Sequence, residues 1–255
     1  MTPIDPTFFA RPIAHRGLHG LAPGHPENSL AACLAAVEAG YGIELDVQLS
    51  ADGEAMVFHD ETLDRMTAEQ GPLKARTSRE LTGIPLSDGA GGTIPRLADV
   101  LAAIRGRVSL LIEIKDQSGC LGATDGRLEA AVARDLSGHP WPGAQAVMSF
   151  NPESVAAMAN QLPNVARGLV TCPFDAAKWP HVGEERRSAL SEIRDLERTA
   201  AAFISHAAGD LAAPSVGAAR EAGRKIACWT IRSPEAEAEA LRIADAITFE
   251  GYLPT

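Results

Sequence analysis

Short apolar runs alternate with helical patterns from end to end of this chain, a rhythm that belongs to βα units wound around a parallel sheet. The runs cover Arg11 to His15, Gly42 to Gln48, Ala55 to His59, Ser109 to Lys115, Ala146 to Phe150, Ala166 to Thr171, Ala202 to His206, Lys225 to Thr230 and Asp245 to Phe249. Between them, Leu30, Cys33, Leu34 and Val37 recur at helical spacing, as do Leu97, Val100, Leu101 and Ile104, and Val155, Met158, Ala159 and Leu162. Further helices are expected over Asp125 to Ser137, Glu184 to Ala200, Pro214 to Ala222 and Pro234 to Ala244, the last with Ser233 as N-cap and Pro234 at the first helical position. With 255 residues, the chain is about the size at which one eight-stranded α/β barrel closes.

Nine runs exceed eight staves, and one gap is too short for a parallel crossover. Only Leu49 to Glu54 separates the second run from the third, and Asp52-Gly53 inside it is a hairpin signal. The expected fold is therefore a TIM-type (β/α)8 barrel with a β-hairpin arm after its second strand. A stretch of little periodicity follows the arm, and residues 61–94 read as a small insertion over the barrel mouth, with a disordered surface loop as the competing reading. Residues 1–255 are expected to form one domain.

Charge narrows the partners. With 23 basic against 33 acidic residues the formal net charge is −10, and the basic residues form no stripe, which argues against nucleic acid. A phosphate-bearing ligand must then be captured locally, by a metal or a few placed cations. Met1 to Phe9 resembles no signal peptide and no apolar run is long enough to span a bilayer, so a cytoplasmic protein without stable membrane insertion is expected. Cys33, Cys120, Cys172 and Cys228 lack metal or disulfide spacing and read as buried reduced thiols. The sequence does not indicate an oligomeric state.

Glu44 and Asp46 stand two apart on a strand, so they share a face, and on an inward face two carboxylates repel unless a cation lies between them. Glu113 and Lys115 repeat the spacing within Leu111-Ile112-Glu113-Ile114-Lys115. Carboxylates alone favour Mg²⁺, Ca²⁺ or Mn²⁺ over zinc. His15 and Arg16 end the first run and His59 and Asp60 the third, and barrel active sites gather at strand carboxyl ends. Two imidazoles there offer a general base and a general acid, Arg16 a planar fork for phosphate oxygens, and Gly17 a close backbone approach. His19, His25, His139, His181 and His206 belong to no such constellation, although His206 also ends a run.

The order His15-Arg-Gly17, Pro26-Glu-Asn-Ser29, Glu44-Leu-Asp46, His59-Asp60 and Glu113-Ile-Lys115 closely resembles the glycerophosphodiester phosphodiesterase family, within the phospholipase C-like phosphodiesterase barrels. Val147 to Phe150, Ala227 to Thr230 and Ala246 to Phe249 extend the similarity over most of the chain. The resemblance implies metal-dependent hydrolysis of glycerophosphodiesters to glycerol 3-phosphate and an alcohol. Glu44, Asp46 and Glu113 would hold one divalent cation, His15 and His59 would act as base and acid, and Arg16, Lys115 and Trp229 would bind substrate, the tryptophan near the glycerol. It also implies attack by the neighbouring glycerol hydroxyl, giving a cyclic phosphate that water then opens. One departure is Glu250, in Thr248-Phe-Glu250-Gly-Tyr-Leu-Pro254, where many relatives carry a Thr-Asp-x-Pro pattern; the expected consequence is confined to the pocket rim. Competing readings are a lysophospholipase D-like or phospholipase C-like enzyme, weakened by the lack of an amphipathic apolar-basic segment, and a barrel that binds phosphate esters without cleaving them.

Overall fold

The computed structural model describes residues 1–87, 92–139 and 143–254. Among the described residues, nine strands and eight α-helices run in the order β1 (Ile13–Ala14), α1 (Leu30–Ala39), β2 (Gly42–Leu49), β3 (Ala55–Val57), α2 (Ser78–Leu81), α3 (Leu97–Ile104), β4 (Leu110–Ile114), α4 (Arg127–Gly138), β5 (Gln145–Ser149), α5 (Pro152–Gln161), β6 (Ala166–Thr171), α6 (Glu184–Ser191), β7 (Phe203–Ala207), α7 (Pro214–Glu221), β8 (Lys225–Ile231), α8 (Pro234–Ala240) and β9 (Ala246–Phe249). Eight strands are parallel and form a closed ring, because β1 pairs with both β2 and β9. The ninth, β3, pairs antiparallel with β2 as the expected hairpin arm, and its Met56 also bridges to Arg96.

Strand alternation divides the core into two layers. Ile43, Leu45 and Val47 of β2 and Leu110, Ile112 and Ile114 of β4 pack outward, in one cluster with helix residues such as Val37, Leu101 and Leu128. Their neighbours point into the barrel, where Leu111, Met148, Val170 and Phe203 pack with Phe8. This second set also carries Glu44, Asp46 and Glu113, so the pleat itself delivers the carboxylates inward.

Local chemistry explains the helix starts. Ser29 caps α1 by accepting from the Ala32 amide, and Gly40 ends it at φ 75. Ser233 caps α8 with Pro234 following, as the sequence indicates. The Glu184 helix, expected to reach Ala200, stops at Ser191. Beyond it the chain turns through Ile193 at φ 54 and Ala200 at φ 49, which keeps Ile193, Leu196 and Ala201 packed in the outer core layer. Helix α8 likewise stops at Ala240, short of Ala244, and β1 is only two residues long.

After the arm, the chain forms a 3₁₀ turn at Leu73–Ala75 and the short α2, whose Thr77 and Glu80 make a reciprocal capping box. Leu63, Leu73, Leu81, Leu86 and Ile94 bury themselves around Met56 and Phe58, giving residues 61–94 an apolar cluster of their own; residues 88–91 of that stretch lie outside the described residues. Asp52 at the hairpin tip ties the two parts together, accepting from the Ser78 amide at 2.7 Å and its hydroxyl at 2.9 Å. Hydrogen bonds from Ser50 and then Ser78 hold its carboxyl down at about 2 despite some burial.

Candidate active site

On β2 and β4, Glu44, Asp46 and Glu113 each offer an oxygen within 4.8 Å of the others. All three are buried, at 1%, 1% and 7% exposure, which in an apolar barrel is costly without compensation. Compensation is uneven. Asp46 accepts from Asn28 Nδ2 at 2.9 Å, lies 3.3 Å from Arg16 Nε and 3.3 Å from Lys115 Nζ, and donates its backbone amide to Asn28 Oδ1. Burial pushes its carboxyl up, but Lys115, His59, Arg16 and His15 outweigh burial and hold it well below the usual range. Lys115 donates to Glu113 at 2.7 Å.

Glu44 is treated differently. One oxygen accepts from the Arg16 amide at 2.9 Å, while the other, Oε1, is buried without a partner. Burial, then Asp46 and Glu113, push this carboxyl well above its ordinary range. An orphaned oxygen in an all-carboxylate cluster is what a hard divalent cation satisfies, so the donor set fits such an ion.

The imidazoles flank this cluster with one shared geometry. His15 Nδ1 lies 2.5 Å from Glu250 Oε2 and His59 Nδ1 lies 2.6 Å from Asp60 Oδ1. A carboxylate accepts only, so each Nδ1 carries the hydrogen and each Nε2 is left available; the tautomer follows from the partner. His15 Nε2 is 4.0 Å from Glu44. Both rings line one inner cavity of about 170 Å³ together with Arg16, Lys115 and Trp229, so the eight residues singled out in the sequence meet there.

Glu250 is the clearest correction. Rather than shaping only the rim, it contacts His15 directly, lies 3.6 Å from His19, and accepts from Arg232 Nε at 2.8 Å. Hydrogen bonds from His15 and His19 hold its carboxyl well below the usual range, against burial. His19, left outside the constellation in the sequence, thus joins a second group with His15 and Glu250. Gly17 allows a close backbone approach, and the partner is α1: at φ 78 an added Cβ would lie 2.8 Å from the Ala32 carbonyl carbon and 2.9 Å from the Cys33 nitrogen. His206 is a satisfied buried residue, with Nδ1 2.8 Å from Thr171 Oγ1 and Nε2 3.2 Å from Asp210. Cys120 is exposed, whereas the other three thiols are buried.

Three further contributors escaped sequence reading. Asn28, at φ 58, clamps Asp46. Glu27 binds Arg16 at 2.7 Å. Arg65 joins Glu27 at 2.6 Å to Asp60 at 2.6 Å, so a chain of charges runs from Arg16 through the 61–94 stretch to His59. For Glu27 and Asn28 the Pro26-Glu27-Asn28-Ser29 segment was the available signal; Arg65 had none.

A closed (β/α)8 barrel with an acidic cluster, two anchored imidazoles and two cations above its strand ends is laid out as a phosphoric diester hydrolase. The chain belongs to the glycerophosphoryl diester phosphodiesterase family, whose model matches residues 15–248. It is 29% identical over 233 residues to YhdW of Bacillus subtilis (strain 168), covering 89% of this chain and 88% of that one. Identity is 35% over 164 residues to a glycerophosphodiester phosphodiesterase of Caldanaerobacter subterraneus subsp. tengcongensis, covering 62% of this chain and 65% of that one. Among solved structures, an Oleispira antarctica phosphodiesterase in complex with the product sn-glycerol-3-phosphate superposes with TM-score 0.79 and 26% identity, covering 95% and 94% of the two chains. A glycerophosphodiester phosphodiesterase from Agrobacterium tumefaciens str. C58 gives TM-score 0.68 and 27% identity, covering 98% and 96%. Among the described residues, no helix is long and apolar enough to cross a membrane.

Proposed function

We propose that this chain hydrolyses glycerophosphodiesters to glycerol 3-phosphate and an alcohol, with His15 as base, His59 as acid and Glu44, Asp46 and Glu113 holding one Mg²⁺, Ca²⁺ or Mn²⁺. The observation that carries the reading is the pair of imidazoles anchored through Nδ1 in one cavity with a buried carboxylate cluster. When bound, the cation would neutralise phosphoryl oxygens and sharpen a hydroxyl as nucleophile.

The remaining steps fall to side chains. His15 Nε2 takes the proton of the glycerol hydroxyl next to the ester as its oxygen bonds to phosphorus. His59, protonated at Nε2, gives a proton to the alcohol oxygen as its bond to phosphorus breaks. Water then opens the cyclic ester with the two roles reversed. Glu250 and Asp60 stabilise each imidazolium as it forms and hold each ring in place. Lys115 and Arg16 line the cavity as local positive charge in a chain of net charge −10. Residues 61–94 serve as a wall of this site within a single domain, since Arg65 links it to both Glu27 and Asp60.

The test is release of glycerol 3-phosphate from glycerophosphodiesters by the purified protein with each of the three cations. His15→Ala and His59→Ala should each lower kcat by about 10²- to 10⁴-fold. Glu44→Gln should abolish both metal retention and activity. Turnover of lysophospholipids alone would defeat the substrate assignment, and full activity in a chelator would remove the cation from the reaction.

A further inference from the structure

Beside the inner cavity lies a larger one of about 580 Å³, within the range of about 300 to 1,000 Å³ usual for small-molecule sites. His59, Glu113, Lys115, Phe150 and Trp229 line both, whereas His15 lines only the inner one. His59 therefore stands at the junction. If it protonates the departing oxygen, the departing alcohol lies on the outer side and the glycerol on the His15 side.

The outer cavity has an unusual lining for an alcohol site. Phe150 follows β5, Trp179 comes from the loop between β6 and α6, and Trp229 sits on β8; all three are only partly buried. Their rings form a continuous wall, with Phe150 5.1 Å from Trp179 and 5.5 Å from Trp229 between centroids. Trp229 is fixed by donating Nε1–H to the Ser205 carbonyl at 3.0 Å. From the ends of β3 and β4 come the carboxylates of Glu61 and Asp116, together with Asp60, whose charge is already shared with His59 and Arg65. Of the two ammonium groups in the lining, Lys115 is already bound to Glu113 and Asp46, and Lys178 is exposed.

We propose that this outer cavity receives the leaving alcohol and selects one bearing a quaternary ammonium group, as choline does, on the wall of Phe150, Trp179 and Trp229. The proposal rests on the hydrolytic reading above and adds its head-group preference. A quaternary ammonium has no N–H to satisfy and little hydration to lose, so it gains both from aromatic faces and from nearby carboxylates. A primary ammonium is strongly hydrated and loses hydrogen bonds against an aromatic wall. A polyol alcohol has no charge for either wall to attract.

The experiment compares kcat/KM for glycerophosphocholine, glycerophosphoethanolamine, glycerophosphoglycerol and the uncharged 3,3-dimethylbutyl ester that matches choline in shape. The choline ester should exceed the glycerol ester by about tenfold and the uncharged ester by several-fold. Trp179→Leu should bring the choline-to-glycerol ratio towards one, and Trp179→Phe should keep most of it. A glycerol ester turned over as well as the choline ester would overturn the selection while leaving hydrolysis standing. Equal rates for choline and its uncharged shape would do the same, by showing that volume and not charge is read. A Trp179→Leu ratio equal to that of the unchanged protein would remove the wall from the explanation. Failure to cleave any of the four esters would sink the hydrolytic reading itself, and the head-group preference with it.

Discussion

His15 and His59 are each held by a carboxylate at Nδ1, but the two carboxylates reach them by different routes. Asp60 is the next residue in the chain, whereas Glu250 arrives from beyond β9, 235 positions away. Glu250→Gln keeps an acceptor for the Nδ1 hydrogen while removing the charge that stabilises the imidazolium, so kcat should fall by about 10- to 100-fold with little change in KM. The same substitution makes a pH prediction. Glu250 is held below its ordinary range in the fold, and such a carboxyl stabilises the fold above its unfolded pKa, near 4.3, losing that contribution as pH falls further. Urea midpoints should therefore show a larger loss for Glu250→Gln at about pH 7 than at about pH 3, well below the unfolded value, and a loss that does not shrink there would contradict the depressed pKa. This residue also marks the limit of sequence reading at the site. Glu44, Asp46, Glu113 and Lys115 were legible because a strand assigns alternate residues to one face. Asn28, Arg65 and Glu250 lie in loops, where no period states which way a side chain points.

Among the elements, the end of β1 and the start of α1 meet in a close joint beside Glu44. Gly17 donates its amide to the Glu44 carbonyl at 3.1 Å, Arg16 donates to the Glu44 carboxylate, and Asn28 donates its amide to the Arg16 carbonyl at 2.9 Å. Gly17 permits this because it alone adopts φ 78 against the α1 backbone without a clash. Gly17→Ala adds both a backbone penalty and an overlap with main-chain atoms that cannot rotate away. A loss of about 1 to 3 kcal/mol is expected, with a lower Tm and a lower kcat because His15 and Arg16 move with the joint. Unchanged Tm and kcat in this variant would show that the joint has slack. The hairpin arm was legible from a gap too short for a crossover, with Asp52-Gly53 inside it. The early end of α6 was not: Ser188 to Ala200 contains no Gly or Pro, and packing of Ile193 and Leu196 sets the turn instead.

For the molecule as a whole, the segment ahead of β1 fills part of the barrel interior. Phe8 is 1% exposed, and Phe8 and Phe9 stand 6.5 and 6.0 Å from the Phe203 ring inside the barrel. That ring occupies the space where a side chain at position 168 would go, which is why Gly168 sits on β6 opposite Phe203. The end of the barrel opposite the catalytic cluster is thus filled from the N-terminal segment, and no strand period could reveal it because residues 4–9 lie in no strand. Phe8→Ala should cost about 3 to 5 kcal/mol, since the strands around Phe203 are closed into a ring and cannot collapse into the vacated space. Buried thiols provide an internal gauge of that loss. Burial pushes Cys228 up to about 12, and burial with the Glu44 charge does the same for Cys33, so neither reacts while the fold is closed, whereas Cys120 is exposed. In Phe8→Ala the labelling of Cys228 and Cys33 should accelerate in step with the fall in the urea midpoint, and Cys120 should label at its original rate. An unchanged midpoint, with Cys228 still protected, would mean that the ring of strands is stable without its N-terminal filling.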